Sequence, residues 1–438
     1  MTEKFADELA AVLDKQLGRV QPSGLELRGW RFDLHDLRLL EVGIKYSRLG
    51  GPYTSPSYKE DLGGEVFLHW NNNRYSSGKL DRHVLQEFAT HWDLWQRTAY
   101  TDEDGPELAE PYNPPEIPLE DAGVYPIIQG ENRLPFTVLA QLQQGLVEQY
   151  GLHKMDARFK VTADRRIVRN SLGFAVDYRQ TPVQIFAEAE DTFGEAFAEK
   201  RLPKPEEISH LINYVGEVTN YLRQEITLPA TGRLPIILAP AVTEAFLAQF
   251  LLHNLQGSLV ANRQSAFAIG DFQEKRQVFR PDLALVVDGT RPMRAGSYRC
   301  TAEGVATGRI ELIRGGRLQT PILSRKYAKR LGMVPTPVPG AFLLEVPMVE
   351  SLEALYARVP RCLVVHSVLG LHTQDASSGI FSLTADQCLW VESGEIKGKV
   401  KAVIAGNFFA ALASKETLFA KSAWDDNPAC LFVADVAK

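Results

Sequence analysis

The sequence predicts an α+β protein in two parts: an N-terminal α/β domain over residues 1–229 and a β-rich C-terminal domain over residues 230–438. Three observations lead to that reading. Helical and strand periodicities alternate from Glu3 to Glu225. Past Leu228-Pro229 the composition turns richer in glycine and β-branched residues. With 438 residues at 45% hydrophobic content, the chain is long enough that two cores are favoured over one.

Each element follows from local pattern. Phe5, Leu9, Val12, Leu13 and Gln16 recur at helical spacing, which predicts a first helix from about Glu3 to Leu17, ended by Gly18. Leu40, Val42, Ile44 and Tyr46 alternate, so Leu37 to Tyr46 reads as a strand. A second strand, Gly64 to Trp70, runs into the turn residues Asn71-Asn72-Asn73, and helical spacing returns from Val84 to Trp95. Between Thr101 and Pro126, six prolines stand among acidic residues. Proline removes amide donors and restricts the residue before it, so this stretch reads as a long irregular surface excursion within the first domain.

Phe136, Leu139, Leu142, Leu146, Val147 and Tyr150 then mark a helix closed by Gly151. Strand-like stretches follow at 157–162, 166–170 and 174–178, the last two separated by the turn Asn170-Ser171-Leu172-Gly173. Ile208, Leu211, Ile212, Val215, Val218 and Leu222 form the apolar stripe of a helix from about Pro205 to Glu225. The second domain starts near Gly232.

Bulk properties exclude several classes. The 48 basic and 54 acidic residues give a mild net charge of −6 with no long Lys/Arg run, so electrostatics does not favour a nucleic-acid partner. Cys300, Cys362, Cys388 and Cys430 are widely spaced without a CxxC pair, which reads as reduced thiols and not as a disulfide frame or zinc knuckle. The N-terminal MTEKFADELAAVLDKQLG lacks a basic segment followed by an apolar one, so no secretory signal is expected. The longest apolar run, Pro235 to Leu252, is interrupted by Glu244 and Gln249 and is short for a bilayer. The expectation is a soluble cytoplasmic protein with no membrane partner.

Several motifs stand in a fixed order. They are Asn170-Ser171-Leu172-Gly173, then LAPAVTEAFLAQFLLHNLQGSLVANRQSAF over 238–267, Ser324 to Gly332, Gly370 to Asp375, Ser378 to Ser382, Val391 to Ile396, and Ala405-Gly406-Asn407. In this order they resemble the TldD/PmbA metalloprotease family, also called the modulator of DNA gyrase family, across nearly the whole chain. The resemblance implies a TldD/PmbA-like fold. Catalytic TldD subunits of that family carry HExxxH. Ala239-Pro240 before it, and Leu255-Gln256-Gly257 and Ser265-Ala266-Phe267 after it, place that hexad on Ala248-Gln249-Phe250-Leu251-Leu252-His253, where only the last histidine remains.

A hydrolytic zinc site needs about three protein ligands and a carboxylate that takes a proton from bound water. Ala248 has no donor atom, and the Gln249 amide is no base. Residues five apart on an α-helix also diverge by about 140°, so even the intact hexad needs a bent or terminating helix to converge on one ion. In catalytic members a cysteine after the GN motif completes the site. Here Gly406-Asn407 is followed by Phe408-Phe409-Ala410-Ala411.

Both losses resemble the TldE (PmbA) branch. The resemblance implies a non-catalytic subunit without a metal of its own, paired with a zinc-bearing TldD-like partner and acting on unfolded peptides. Strand edges of the β-rich domain would hold an extended peptide by main-chain bonds. Asn254, Asn262, Arg263, His372 and Thr373 are the candidate peptide or cavity residues. Two alternatives stay open: a homodimeric metallopeptidase with an unorthodox site from His253, His366 and His372, and a stand-alone peptide-binding or scaffolding protein. Ser367, Ser377, Ser378 and Ser382 sit in no GxSxG or SxxK, and no phosphate loop is present.

Overall fold

The computed structural model describes residues 2–45, 54–338, 340–422 and 424–438. One long strand, β1 (Leu27–Ile44), organises the N-terminal half. Around it stand β2 (Ser57–Trp70), β3 (Arg74–Asp81), β4 (Tyr100–Thr101), β5 (Met155–Asn170), β6 (Ala175–Gln180), β7 (Val183–Ala189) and β8 (Phe193–Glu199). They form one sheet in the order β4-β3-β2-β1-β5-β7-β8, with β6 beside β5. Every pairing in it is antiparallel, so the interleaved helices are not crossovers between parallel strands.

The two ends of β1 serve different cores. Trp30, Phe32 and Leu34 pack with Phe5, Leu9 and Leu13 of the helix Thr2–Asp14 and with Trp92 and Trp95 of the helix Phe88–Arg97. Val42 and Ile44 pack instead with Leu139, Leu142 and Leu146 of the helix Leu134–Tyr150 and with Leu211 and Val215 of the helix Pro205–Leu222. The predicted helices are present, though the first ends at Asp14 and the second starts at Phe88. Gly151 closes Leu134–Tyr150 in the left-handed conformation that glycine adopts without steric cost. The strand expected over Leu37 to Tyr46 is part of β1, with Tyr46 outside the described residues. The stretches expected at 157–162 and 166–170 are one continuous strand, β5.

The proline-rich stretch is irregular, as its prolines require, but it is a bonded strap and not a free excursion. Asn170 Nδ2 donates to Ala109 O at 2.7 Å, Thr181 N to Leu119 O at 3.0 Å and Met293 N to Pro118 O at 2.9 Å. Arg299 reaches Pro114 O and the Glu116 carboxylate, and Lys326 pairs with Asp102. Ala109 and Leu119 are buried. The strap therefore ties the N-terminal sheet to residues 293–326.

After the helix Pro205–Leu222 the chain enters β9 (Gly232–Leu238), then β10 (Ala284–Asp288), β11 (Arg309–Arg314), β12 (Arg317–Leu318), β13 (Phe342–Glu345), β14 (Arg361–Leu369), β15 (Ile380–Glu392), β16 (Glu395–Asn407), β17 (Leu418–Ala420) and β18 (Ala429–Ala437). β12-β11-β10-β13 form a small antiparallel sheet. β16-β15-β14-β9-β18-β17 form the larger one, and Val403 to Ala405 of β16 also pair with Asp435 to Ala437 of β18. Five of its strands thus close on themselves.

Alternation along these strands feeds two cores. Ile236, Leu238, Val365 and Phe432 face Phe246, Phe250 and Phe408. Ile237, Val364, Leu389 and Leu431 face outward into the cluster that holds the helices Leu134–Tyr150 and Pro205–Leu222. The two halves therefore share a core. Cys300, Cys362, Cys388 and Cys430 are all free and buried, and burial pushes the Cys300 and Cys362 thiols up to about 12. Among the described residues no helix is long and apolar enough to cross a membrane.

Candidate functional site

The hexad lies where an α-helix changes pitch. Ala239-Pro240 starts the helix Pro240–Phe246, with proline at the first turn, where its missing amide costs nothing. Leu247–Leu252 continues it as a π-helix, and His253 N donates to Ala248 O. This five-residue closure is what an ordinary α-helix lacks: it winds position 253 back towards position 248. Leu247, Phe250, Leu251 and Leu252 are buried, while Ala248 and His253 are exposed. The turn lessens the divergence that a straight α-helix would impose on positions 248 and 253, and of these two only His253 carries a side chain that can ligate.

Two further segments converge beside it. The turn after β14 holds the short 3-10 helix Leu371–Thr373 and then Asp375, whose carboxyl is kept below its usual range by bonds from Ser377, with the His253 ring a smaller contribution. From β16, Asn407 caps the helix Phe408–Ala413 by accepting from Ala410 N at 2.9 Å, and its Nδ2 donates to Ser378 O at 3.2 Å. Phe408 N donates to Gly379 O at 2.7 Å. Gly379 has φ of +68°, and a Cβ there would stand 2.8 Å from the Phe409 ring, so only glycine fits. Beneath lies a phenylalanine cluster. Phe408 packs at centroid distances of 5.3 Å on Phe246, 6.1 Å on Phe250 and 6.4 Å on Phe432.

Residues 231–430 match the model of the PmbA/TldA metallopeptidase C-terminal domain. This stretch, a little under half of the chain, is similar to that domain. A metalloprotease of Methanothermobacter thermautotrophicus is 26% identical over 265 residues, 56% of this chain and 57% of that protein. A Synechocystis metalloprotease is 24% identical over 221 residues, 47% of this chain and 46% of that one. The chain spans about half the length of the curated relatives it matches. The fold is shared from end to end with TldE of Thermococcus kodakarensis, at TM-score 0.81, 16% identity and coverage of 99% and 100% of the two chains. A candidate modulator of DNA gyrase from Thermotoga maritima gives TM-score 0.80 at 19% identity, with both chains fully covered.

In this stretch the residues present do not fit a zinc ion. Ala248 offers no donor, Gln249 is an amide, and the position after Asn407 is the buried ring of Phe408. Among the described residues no group of three or more His, Cys, Asp or Glu side chains is placed to hold a metal. His366 lies away from the hexad, against Tyr214 at 3.3 Å and Phe193 at 5.5 Å between ring centroids. Burial there pushes its pKa down to about 4. The three-histidine site is therefore not assembled.

The candidate peptide residues divide. Asn254 is fully buried: its Nδ2 donates to Phe250 O and Ala376 O, both at 2.7 Å, and its Oδ1 accepts from Ala266 N at 2.7 Å. Its side chain ties three segments together, and its complete burial keeps it from a ligand. Thr373 is exposed, but its hydroxyl donates to Gly370 O at 2.8 Å, and Asn262 accepts from Arg330 at 3.0 Å. Arg263 and His372 are exposed. Arg263 also holds a left-handed backbone, φ 58°, uncommon for a residue other than glycine. Strand edges are scarcer than a β-rich domain suggests, because the pairing of β16 with β18 closes the larger sheet.

The sequence expectations name no element between Tyr178 and Pro205, yet β7 and β8 lie there, and β8 lines a cavity of about 820 Å³. Glu195 and Glu199 of β8, His210 and Tyr214 of the helix Pro205–Leu222, Glu244 and Asp425 line it. Glu244 stands one turn before Ala248 on the hexad's own helix. A lone glutamate in an alternating strand carries no sequence signal, since its partners are about 230 residues away.

Proposed function

We propose that this chain is a catalytically silent, TldE-like subunit that pairs with a TldD-like zinc metalloprotease in the cytoplasm and holds unfolded peptide for its partner. The observation that carries this reading is the π-helical hexad. It keeps the backbone turn that an HExxxH centre needs while presenting Ala248 and Gln249 where a ligand and a base would stand. A chain that had simply lost the site would have no reason to keep an energetically poorer helical turn. Full-length likeness in fold to the Thermococcus TldE supports the same reading. Hydrolysis then belongs to the partner's HExxxH and cysteine, with zinc as the Lewis acid there, and no hydrolytic step falls to this chain. Its own part is restraint. Arg263 and His372 are exposed, and on this reading they offer donors to peptide carbonyls.

The test is a pull-down from native extract, followed by metal analysis and peptidase assay of the chain with and without its co-purified partner. Zinc and activity should follow the partner. Stoichiometric zinc in the isolated chain, with chelator-sensitive cleavage abolished by His253→Ala, would overturn the proposal.

A further inference from the structure

The cavity beside β8 has the construction of a site for an organic cation. On one side the Trp424, His210 and Tyr214 rings form a column, with centroids 4.2 Å apart for Trp424 and His210 and 5.6 Å apart for His210 and Tyr214. Trp424 remains 39% exposed, so the column ends at open solvent. His210 is uncharged near neutral pH, because burial pushes its pKa down to about 4, and it contributes a ring face and no positive charge.

The rest of the lining is rich in carboxylates. The nearby basic groups already have partners: Arg294 pairs with Glu199 and Asp426, Arg201 with Glu207, and Lys421 with Glu350. Glu195, Glu244 and Asp425 have no ion-pair partner among the described residues. Desolvation raises all three, Glu195 up to about 7, and Asp425 adds to the rise at both Glu195 and Glu244; Glu244 and Asp425 keep exposed surface through which a ligand can reach them. Independently of these three, Glu199 is 6% exposed, lines the same cavity, and keeps its Oε2 without a hydrogen-bond partner. A buried carboxylate oxygen left unpaired costs free energy that an incoming donor would recover.

We propose that this cavity binds a protonated amine or guanidinium carried on a peptide, seated against Trp424 and between the Glu195 and Asp425 carboxylates. A desolvated cation gains from a ring face and from unpaired carboxylates together. A divalent metal is disfavoured because no three acidic side chains in the described residues converge to hold one. The peptide as carrier of the charge rests on the peptide-holding reading above. On that reading, the cavity makes the chain selective for segments bearing lysine or arginine, since Glu244 of its lining stands one turn before Ala248 of the hexad.

The experiment titrates the full-length chain, without partner, by calorimetry. The probes are Gly-Lys-Gly peptide capped at both ends, its acetyl-lysine counterpart, and spermidine. The capped lysine peptide should bind at least tenfold more tightly than the acetyl-lysine peptide, and E195Q/D425N should lose at least tenfold. If that double variant fails to fold, Trp424→Leu at the exposed mouth supplies the test and should lose severalfold. Equal binding of charged and neutral peptides, or no binding of either, overturns the proposal. Spermidine binding with the lysine peptide silent overturns the peptide assignment, as does stoichiometric Mg²⁺ or Ca²⁺ that displaces the peptide. These outcomes need no protease, so they are separate from any failure to find or activate a partner.

Discussion

Asn254→Ala should destabilise the chain far more than His253→Ala, although the two residues are adjacent. Asn254 is fully buried and satisfies the carbonyls of Phe250 and Ala376 and the amide of Ala266. Truncation leaves three groups without that partner. A buried polar group deprived of its bond costs about 1–3 kcal/mol, and water reaching the more exposed Ala266 reduces its share, which gives roughly 2–4 kcal/mol in total. For a domain of this size each kcal/mol lowers the thermal midpoint by roughly 2–4 °C, so a fall of about 9 °C is expected near the centre of these ranges. His253 is exposed and its ring lacks such ties, so His253→Ala should stay within about 0.5 kcal/mol of wild type. Calorimetry or circular dichroism on both variants reads the difference. A midpoint for Asn254→Ala within 2 °C (roughly) of wild type would refute the claim that this side chain fastens the hexad helix to the 374–378 turn.

Four further outcomes are expected. Arg263→Ala with His372→Ala should leave the thermal midpoint nearly unchanged and weaken activation of a TldD-like partner; a double variant that unfolds, or that activates fully, removes those residues from the site. Ala248→His with Gln249→Glu should create no peptidase activity in the isolated chain, because the ring of Phe408 still fills the position after Asn407, and turnover in a fluorogenic peptide assay would contradict this. The strap over residues 105–121 should resist limited proteolysis, and Arg299→Ala should expose it; early wild-type fragments ending inside it, read by mass spectrometry, would show that its bonds do not hold in solution. Glu195 has its pKa raised to about 7 by burial and by Asp425, so its contribution to stability is complete below about pH 4.5 and is lost as pH rises through 7. Urea denaturation should therefore show Glu195→Gln gaining about 1–3 kcal/mol on wild type between pH 5 and pH 8, and parallel curves would mean that Glu195 is solvated.

Local pattern made much of the fold legible. The stripe from Ile208 to Leu222 and the glycine after Tyr150 depend on neighbours three or four residues away, and both elements stand where the spacing places them. The lack of a donor at Ala248 and Phe408 was also legible, because identity at a position is a chemical fact before any folding: alanine cannot ligate in any conformation. The strap was only half legible. Proline dictates irregular backbone locally, but whether that backbone is free depends on Asn170, Thr181, Met293 and Arg299, which the fold brings to it.

By itself, then, the sequence determined where many helices and strands form and that Ala248 and Phe408 offer no metal ligand, since both follow from side-chain identity and short-range periodicity. Tertiary structure alone decided the rest. It turned the hexad through a π-helical closure, buried Asn254 while leaving His253 exposed, and carried His366 away to Tyr214. It also brought Glu195 of β8 into one cavity lining with Asp425 and Trp424, across about 230 residues of chain. The physical reason is range. Helical turns and ligand chemistry are settled within a few residues, whereas burial, cavity walls and the company a carboxylate keeps are settled by which distant segments the two cores press together.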